Sequence, residues 1–230
     1  MADAFPDTRW TLIQRARREN ADPAALAEWC RSYWPPVFSY ICAQGHDSDA
    51  AKEFAQGFFE NLLVRGADAC LPDRLQGAFR AYLMRSVKNY LTDQWRAART
   101  RRKGGGTIPL PLEALENCGH AGASPDQAFD QAWALTILEL AMKKLADEME
   151  RKGRSDFFHA AKNLVDGRSV NDGDRTRLAE SVGMTDRNFR VALHRFRARF
   201  RTLIEDEVRQ TVSSEDDFQE ELRYLFHVWS

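Results

Sequence analysis

Apolar residues recur at three- and four-residue intervals along most of the chain, and alternating β-branched runs are almost missing. That period predicts helices throughout, and so an all-α protein. Trp10, Ile13 and Ala16 mark a first helix, and Leu26, Trp29 and Tyr33 a second. The second pattern continues through Val37, Tyr40 and Ile41, with a break expected at Pro35-Pro36 because proline removes a backbone donor. Phe54, Phe58, Phe59, Leu62 and Leu63 form another stripe, and a long helix is expected from Phe79 to Lys103, with Leu83, Val87, Tyr90 and Leu91 inward. The period then lapses between Gly104 and Pro125, where Gly104, Gly105, Gly106, Pro109, Pro111, Gly119 and Gly122 punctuate a linker. Ser124-Pro125-Asp126 reads as a new helix start, followed by Trp133, Ile137, Leu138, Leu140, Ala141 and Leu145. The expected organisation is two helical domains, 1–103 and 126–204, joined by a Gly/Pro-rich linker over 104–125. An acidic helical extension over 205–230 follows.

A chain of 230 residues, 43% of them hydrophobic, can bury a core of its own. No apolar run approaches a membrane span, and the segment with Asp3 and Asp7 lacks the apolar stretch of a signal peptide, so a cytoplasmic protein without membrane association is expected. Cys30, Cys42, Cys70 and Cys118 form no CxxC pair, and the five histidines show no ligand spacing. No metal, cofactor or disulfide is expected from them.

Net charge is only −1, yet the charges are segregated. Within the Phe79–Lys103 segment, Arg80, Arg85, Lys88, Arg96, Arg99, Arg101, Arg102 and Lys103 stand against Asp93 alone. Cations so concentrated bind phosphates by releasing counterions. Phe79, Tyr82, Tyr90 and Trp95 add flat faces of the kind that stack on unpaired bases, which makes single-stranded nucleic acid a candidate ligand. From Glu205 to Glu221 the sign reverses, with Arg209 the single cation among eight acids.

The stretch from Arg177 to Phe200 carries the punctuation of a DNA-binding helix-turn-helix. Ala179 allows a close helix crossing, Gly183 a tight turn, and Thr185 can cap the helix that follows. Phe189, Leu193, Phe196 and Phe200 are expected inward. Arg187, Asn188, Arg190, Val191, His194, Arg195 and Arg197 are expected outward, the leading ones placed for base edges in a major groove and the later arginines for phosphates.

Taken in order, an acidic aromatic helix, a basic aromatic helix, a Gly/Pro linker and a terminal helix-turn-helix resemble bacterial RNA polymerase sigma factors of the extracytoplasmic-function (ECF) group. The local matches are Gln56-Gly57-Phe58-Phe59, Phe79-Arg80-Ala81-Tyr82 through Lys88-Asn89, Asp93 and Arg96, then Leu178-Ala179-Glu180, Gly183-Met184-Thr185 and Val191 to Arg199. The resemblance implies a non-enzymatic subunit that needs no cofactor and whose partners are core polymerase, through its β′ and β subunits, and promoter DNA. On this resemblance Asp49, Glu53, Gln56, Phe58 and Phe59 contact core polymerase. Phe79, Arg80, Tyr82, Arg85, Lys88, Asn89, Trp95, Arg96 and Arg99 hold the melted −10 element. Thr185, Arg187, Asn188, Arg190, Val191, His194, Arg195 and Arg197 read the −35 element. Regulation by an anti-sigma factor is also implied.

The chain departs from the family pattern at Ala50 and Gly57, where acidic residues are usual on the core-binding helix. Missing carboxylates weaken attraction to a basic polymerase surface, and a helical glycine costs about 1 kcal/mol relative to alanine. Core binding conditional on added negative charge is therefore expected. Ser48, between Asp47 and Asp49, is the candidate phosphorylation site for a Ser/Thr kinase, where phosphate adds a charge of about −1.5 to −2. Two other readings stand beside this one: a helix-turn-helix regulator that binds duplex DNA without polymerase, and a nuclease. The nuclease lacks support, because neither basic stretch holds a paired-carboxylate metal motif.

Overall fold

In a computed structural model the described residues are 23–64, 78–101, 123–165 and 171–228. They form helices α1 (Pro23–Ala43), α2 (Ser48–Val64), α3 (Phe79–Arg101), α4 (Pro125–Arg151), α5 (Ser155–Ala161), α6 (Asp172–Ser181), α7 (Asp186–Arg209) and α8 (Glu215–His227), with a short 3-10 turn over Lys162–Leu164. The helix expected around Trp10, most of the linker, the side chain of Arg99, and Cys70, Cys118, Arg102, Lys103 and Trp229 lie outside the described residues. Among the described residues no helix is long and apolar enough to cross a membrane.

Capping chemistry sets several of the helix starts. Asp47 caps α2, its Oδ1 accepting from the backbone N–H of Asp49 at 3.1 Å and Ala50 at 2.8 Å. At α4, Ser124 Oγ accepts from Gln127 N while Gln127 Oε1 accepts from Ser124 N, a reciprocal box with Pro125 in the first turn. Ser214 caps α8 by accepting from Asp217 N at 3.1 Å.

One expectation fails at α1, which runs unbroken through Pro35 and Pro36. A proline inside a helix costs roughly 3 kcal/mol through its missing donor and ring clash. Burial on both sides of the pair offsets that cost: Trp29 and Tyr33 before it, and Val37, Tyr40 and Ile41 after it, are all buried.

The chain divides into two compact units, 1–136 with 208–230, and 137–207. This differs from the boundaries expected at 126 and 205. The reason is aromatic packing: Trp133 of α4 stacks on Tyr33 at 5.2 Å and meets Phe79 at 5.9 Å, so the start of α4 belongs to the core of the first unit. Trp29 joins that cluster against Phe59 and Phe79. From Val208 onward the acidic extension is likewise part of the first unit, with Phe218 and Leu225 buried and Leu222 half-buried, while Glu205, Asp206 and Glu207 fall in the second.

Arg80 ties these segments together. Its Nη1 meets Asp130 at 2.8 Å, its Nε and Nη2 both reach Glu221, and its guanidinium lies 3.9 Å from the Tyr224 ring centre. Tyr224 in turn donates its hydroxyl to Asp130. Burial works against the Arg80 charge, but the hydrogen bonds and charges of Glu221 and Asp130 outweigh it and raise its pKa.

The second unit has a phenylalanine core. Phe157 packs edge-on against Phe189 and Phe196 at 5.5 and 5.7 Å, and Phe158 meets Phe196 at 6.0 Å. Arg199 and Glu148 pair at 2.6 Å, and the Arg199 hydrogen bond holds the Glu148 carboxyl below its ordinary range.

Candidate nucleic-acid interface

Within the second unit α6 and α7 form a two-helix hairpin whose turn follows from its residues. Asn171 caps α6 by accepting from Asp174 N at 2.8 Å. Ala179 is fully buried, as a close crossing requires, and its carbonyl accepts from Met184 N at 2.9 Å. Gly183 has φ +65°, the left-handed conformation that glycine adopts without a Cβ penalty. Thr185 Oγ1 then accepts from Asn188 N at 3.3 Å, and Thr185 O from Phe189 N at 2.9 Å, which starts α7.

Phe189, Leu193, Phe196 and Phe200 are all buried. Thr185, Arg187, Asn188, Arg190, Val191, His194 and Arg195 are exposed. Two expected outward arginines are engaged elsewhere. Arg190 Nε and Nη2 both donate to Asp186 Oδ2, at 2.9 and 2.5 Å, one helical turn back. Arg197 is half-buried and donates through Nε to the Leu164 carbonyl at 2.7 Å, so it braces the unit from inside.

Asp186 was not among the expected site residues, yet it organises the start of α7. Its Oδ1 accepts from Arg175 of α6 at 2.6 Å while Oδ2 holds Arg190, and these hydrogen bonds, Arg175 first, lower its pKa. The spacing of Asp186 and Arg190 is the familiar i,i+4 pair; the reach from Arg175 has no signal in the sequence.

The other basic helix is less open than its composition implies. Phe79 is fully buried and donates its backbone N–H to Thr211 O at 2.7 Å, so it cannot stack on a base. Arg80, with 15% of its side chain exposed, is committed to Asp130 and Glu221. Tyr82 is half-buried, and Lys88 pairs with Asp126 at 2.8 Å. Arg85, Asn89, Trp95 and Arg96 remain exposed, Trp95 by 56%.

On α2 the expected set also splits. Asp49, Glu53 and Gln56 are exposed, with Lys52 reaching Asp49 at 3.0 Å and Gln56 reaching Glu60 at 2.9 Å. Phe58 and Phe59 are core residues: Phe59 stacks on Trp34 at 5.9 Å, and Phe58 meets Tyr90 edge-on at 5.8 Å. Gly57 is explained by the same contact, because a Cβ there would overlap Tyr90 Oη. Ser48 is half-buried in the first turn of α2, next to the Asp47 cap.

Among the described residues no group of three His, Cys, Asp or Glu side chains could hold a metal ion. No protein-family model, curated protein or solved structure matches this chain.

Proposed function

We propose that this protein is an ECF-type sigma factor, a cytoplasmic, non-enzymatic subunit that binds core RNA polymerase and directs promoter recognition, melting and initiation. The observation that carries the reading is α7: a Thr185-capped helix behind a glycine turn, presenting Arg187, Asn188, His194 and Arg195 on its exposed face. A helix of this kind suits a major groove, with base edges near its start and phosphates along its length. Arg85, Asn89, Trp95 and Arg96 on α3 provide a second, smaller surface that combines cations with a stacking ring, suited to the opened strand. Asp49, Glu53 and Gln56 form the face of α2 offered to polymerase, and Phe58 and Phe59 support it from within. Ser48 is where phosphate would add charge to that face, close to a helix N-terminus that favours it.

Run-off transcription with purified core polymerase tests the proposal. Promoter-specific transcripts are expected from the native chain or from Ser48→Glu. If neither co-purifies with core enzyme, the sigma reading fails. A second reading, a duplex-DNA regulator independent of polymerase, draws on the burial of Phe79 and the commitment of Arg80, which shrink the single-strand surface. Duplex binding without polymerase association would favour it.

A further inference from the structure

Val191 sits where a purely electrostatic DNA-binding face has no use for it. The buried side of α7 is fixed by Phe189, Leu193, Phe196 and Phe200, and two residues at about 100° each place Val191 about 160° from Phe189, on the far side of the helix. It is 48% exposed. Arg187, Asn188, His194 and Arg195, its neighbours one turn to either side, are exposed and polar. A lone surface aliphatic is ordinary in general. Here it occupies the centre of a ring of hydrogen-bond donors and cations, and it is β-branched in a helix that would form more readily with alanine.

The partner that combines anionic rails with a small apolar group between them is duplex DNA read in the major groove, whose apolar feature is the thymine 5-methyl. We propose that Val191 is a specificity-determining residue that packs on a thymine methyl, one step from the base edges offered to Arg187 and Asn188. The assignment rests on α7 being a duplex-reading helix, and it adds a base identity that hydrogen bonding alone does not impose.

The test uses the full chain. A preferred duplex is selected from a randomised pool, and its thymines are replaced one at a time by deoxyuridine, which deletes only the methyl. One replacement should weaken binding about four-fold, the effect of removing one buried methyl-sized group. Val191→Ala should lose a similar factor on the thymine duplex and be indifferent to the same replacement. Alanine favours helix, so α7 stays formed in this variant. The assignment is overturned if no deoxyuridine replacement matters, or if the penalty persists unchanged in Val191→Ala. A chain that selects no duplex at all overturns the duplex-reading helix as well, which separates the two failures.

Discussion

Gly57 offers a sharp test of how α2 and α3 meet. Alanine there should gain about 1 kcal/mol of helix propensity. Its Cβ, however, would fall inside the contact distance of Tyr90 Oη, while the ring carbon Cζ stands at an acceptable 3.6 Å. Tyr90 cannot swing away freely, because its ring is packed edge-on against Phe58. Overpacking of this sort costs about 1–3 kcal/mol. Gly57→Ala should therefore leave the native chain unchanged to about 2 kcal/mol less stable. Removing the hydroxyl as well removes the clash, so Gly57→Ala in a Tyr90→Phe background should stabilise by about 1 kcal/mol. The coupling between the two changes is then about 1–3 kcal/mol. Urea unfolding followed by tryptophan fluorescence suits the measurement, since the described tryptophans, Trp29, Trp34, Trp95 and Trp133, belong to the first unit. Equal effects of Gly57→Ala in both backgrounds would refute the close approach. Gly57→Glu, the obvious way to restore an acid on α2, meets the same obstacle and should destabilise.

Burial, then its hydrogen bond to Asp130 and that carboxylate's charge, push the Tyr224 phenol up from 10.0 to about 12. The neutral phenol is the form the fold favours, so its contribution is complete below pH 10 and is lost as pH rises through about 12. Burial also pushes Tyr40 and Tyr90 up, so the Tyr224 phenolate should be the late absorbance component that Asp130→Asn brings down. Glu221→Ala leaves Arg80 half-partnered in a largely buried site and should lower first-unit stability by about 3 kcal/mol or more, read by the same fluorescence transition. Arg80→Ala should do likewise with no selective loss of affinity for a premelted DNA bubble; reduced bubble affinity at unchanged stability would return Arg80 to the DNA surface. Arg187→Ala should weaken DNA binding and leave unfolding unchanged, whereas Arg197→Ala should chiefly destabilise the second unit, because its Nε serves the Leu164 carbonyl.

Local chemistry was legible in the sequence wherever partners lie within a turn or two. Ser124-Pro125 starts α4, Gly183 takes the left-handed turn, Thr185 caps α7, and the phenylalanine stripe from Phe189 to Phe200 is buried. What periodicity does not settle is whether an aromatic faces a core or a ligand. Phe58, Phe59 and Phe79 have the spacing of either; Phe59 and Phe79 are covered by Trp29, Trp34 and Tyr33 arriving from α1, and Phe58 packs on Tyr90 of α3. Pro35-Pro36 punctuates a helix locally, but burial around it overrides the break. Arg80 reads as a free cation because its anions are 50 and 141 residues away. Gly57 is unreadable for the same reason, its cause being a hydroxyl on another helix.

A first unit built from both ends of the chain imposes an order on biosynthesis. Residues 137–207 are fully translated, and free to close their own core, before the last segment of the first unit exists. Until Glu221 and Tyr224 emerge, Arg80 and Asp130 lack those two partners, and the surface later covered by α8 stays open. A nascent or prematurely terminated chain would thus carry a finished inserted unit beside an unfinished first one. Pairing across 141 residues also brings a long loop to closure late, making the arrival of α8 the natural candidate for the slow step in reaching the native state.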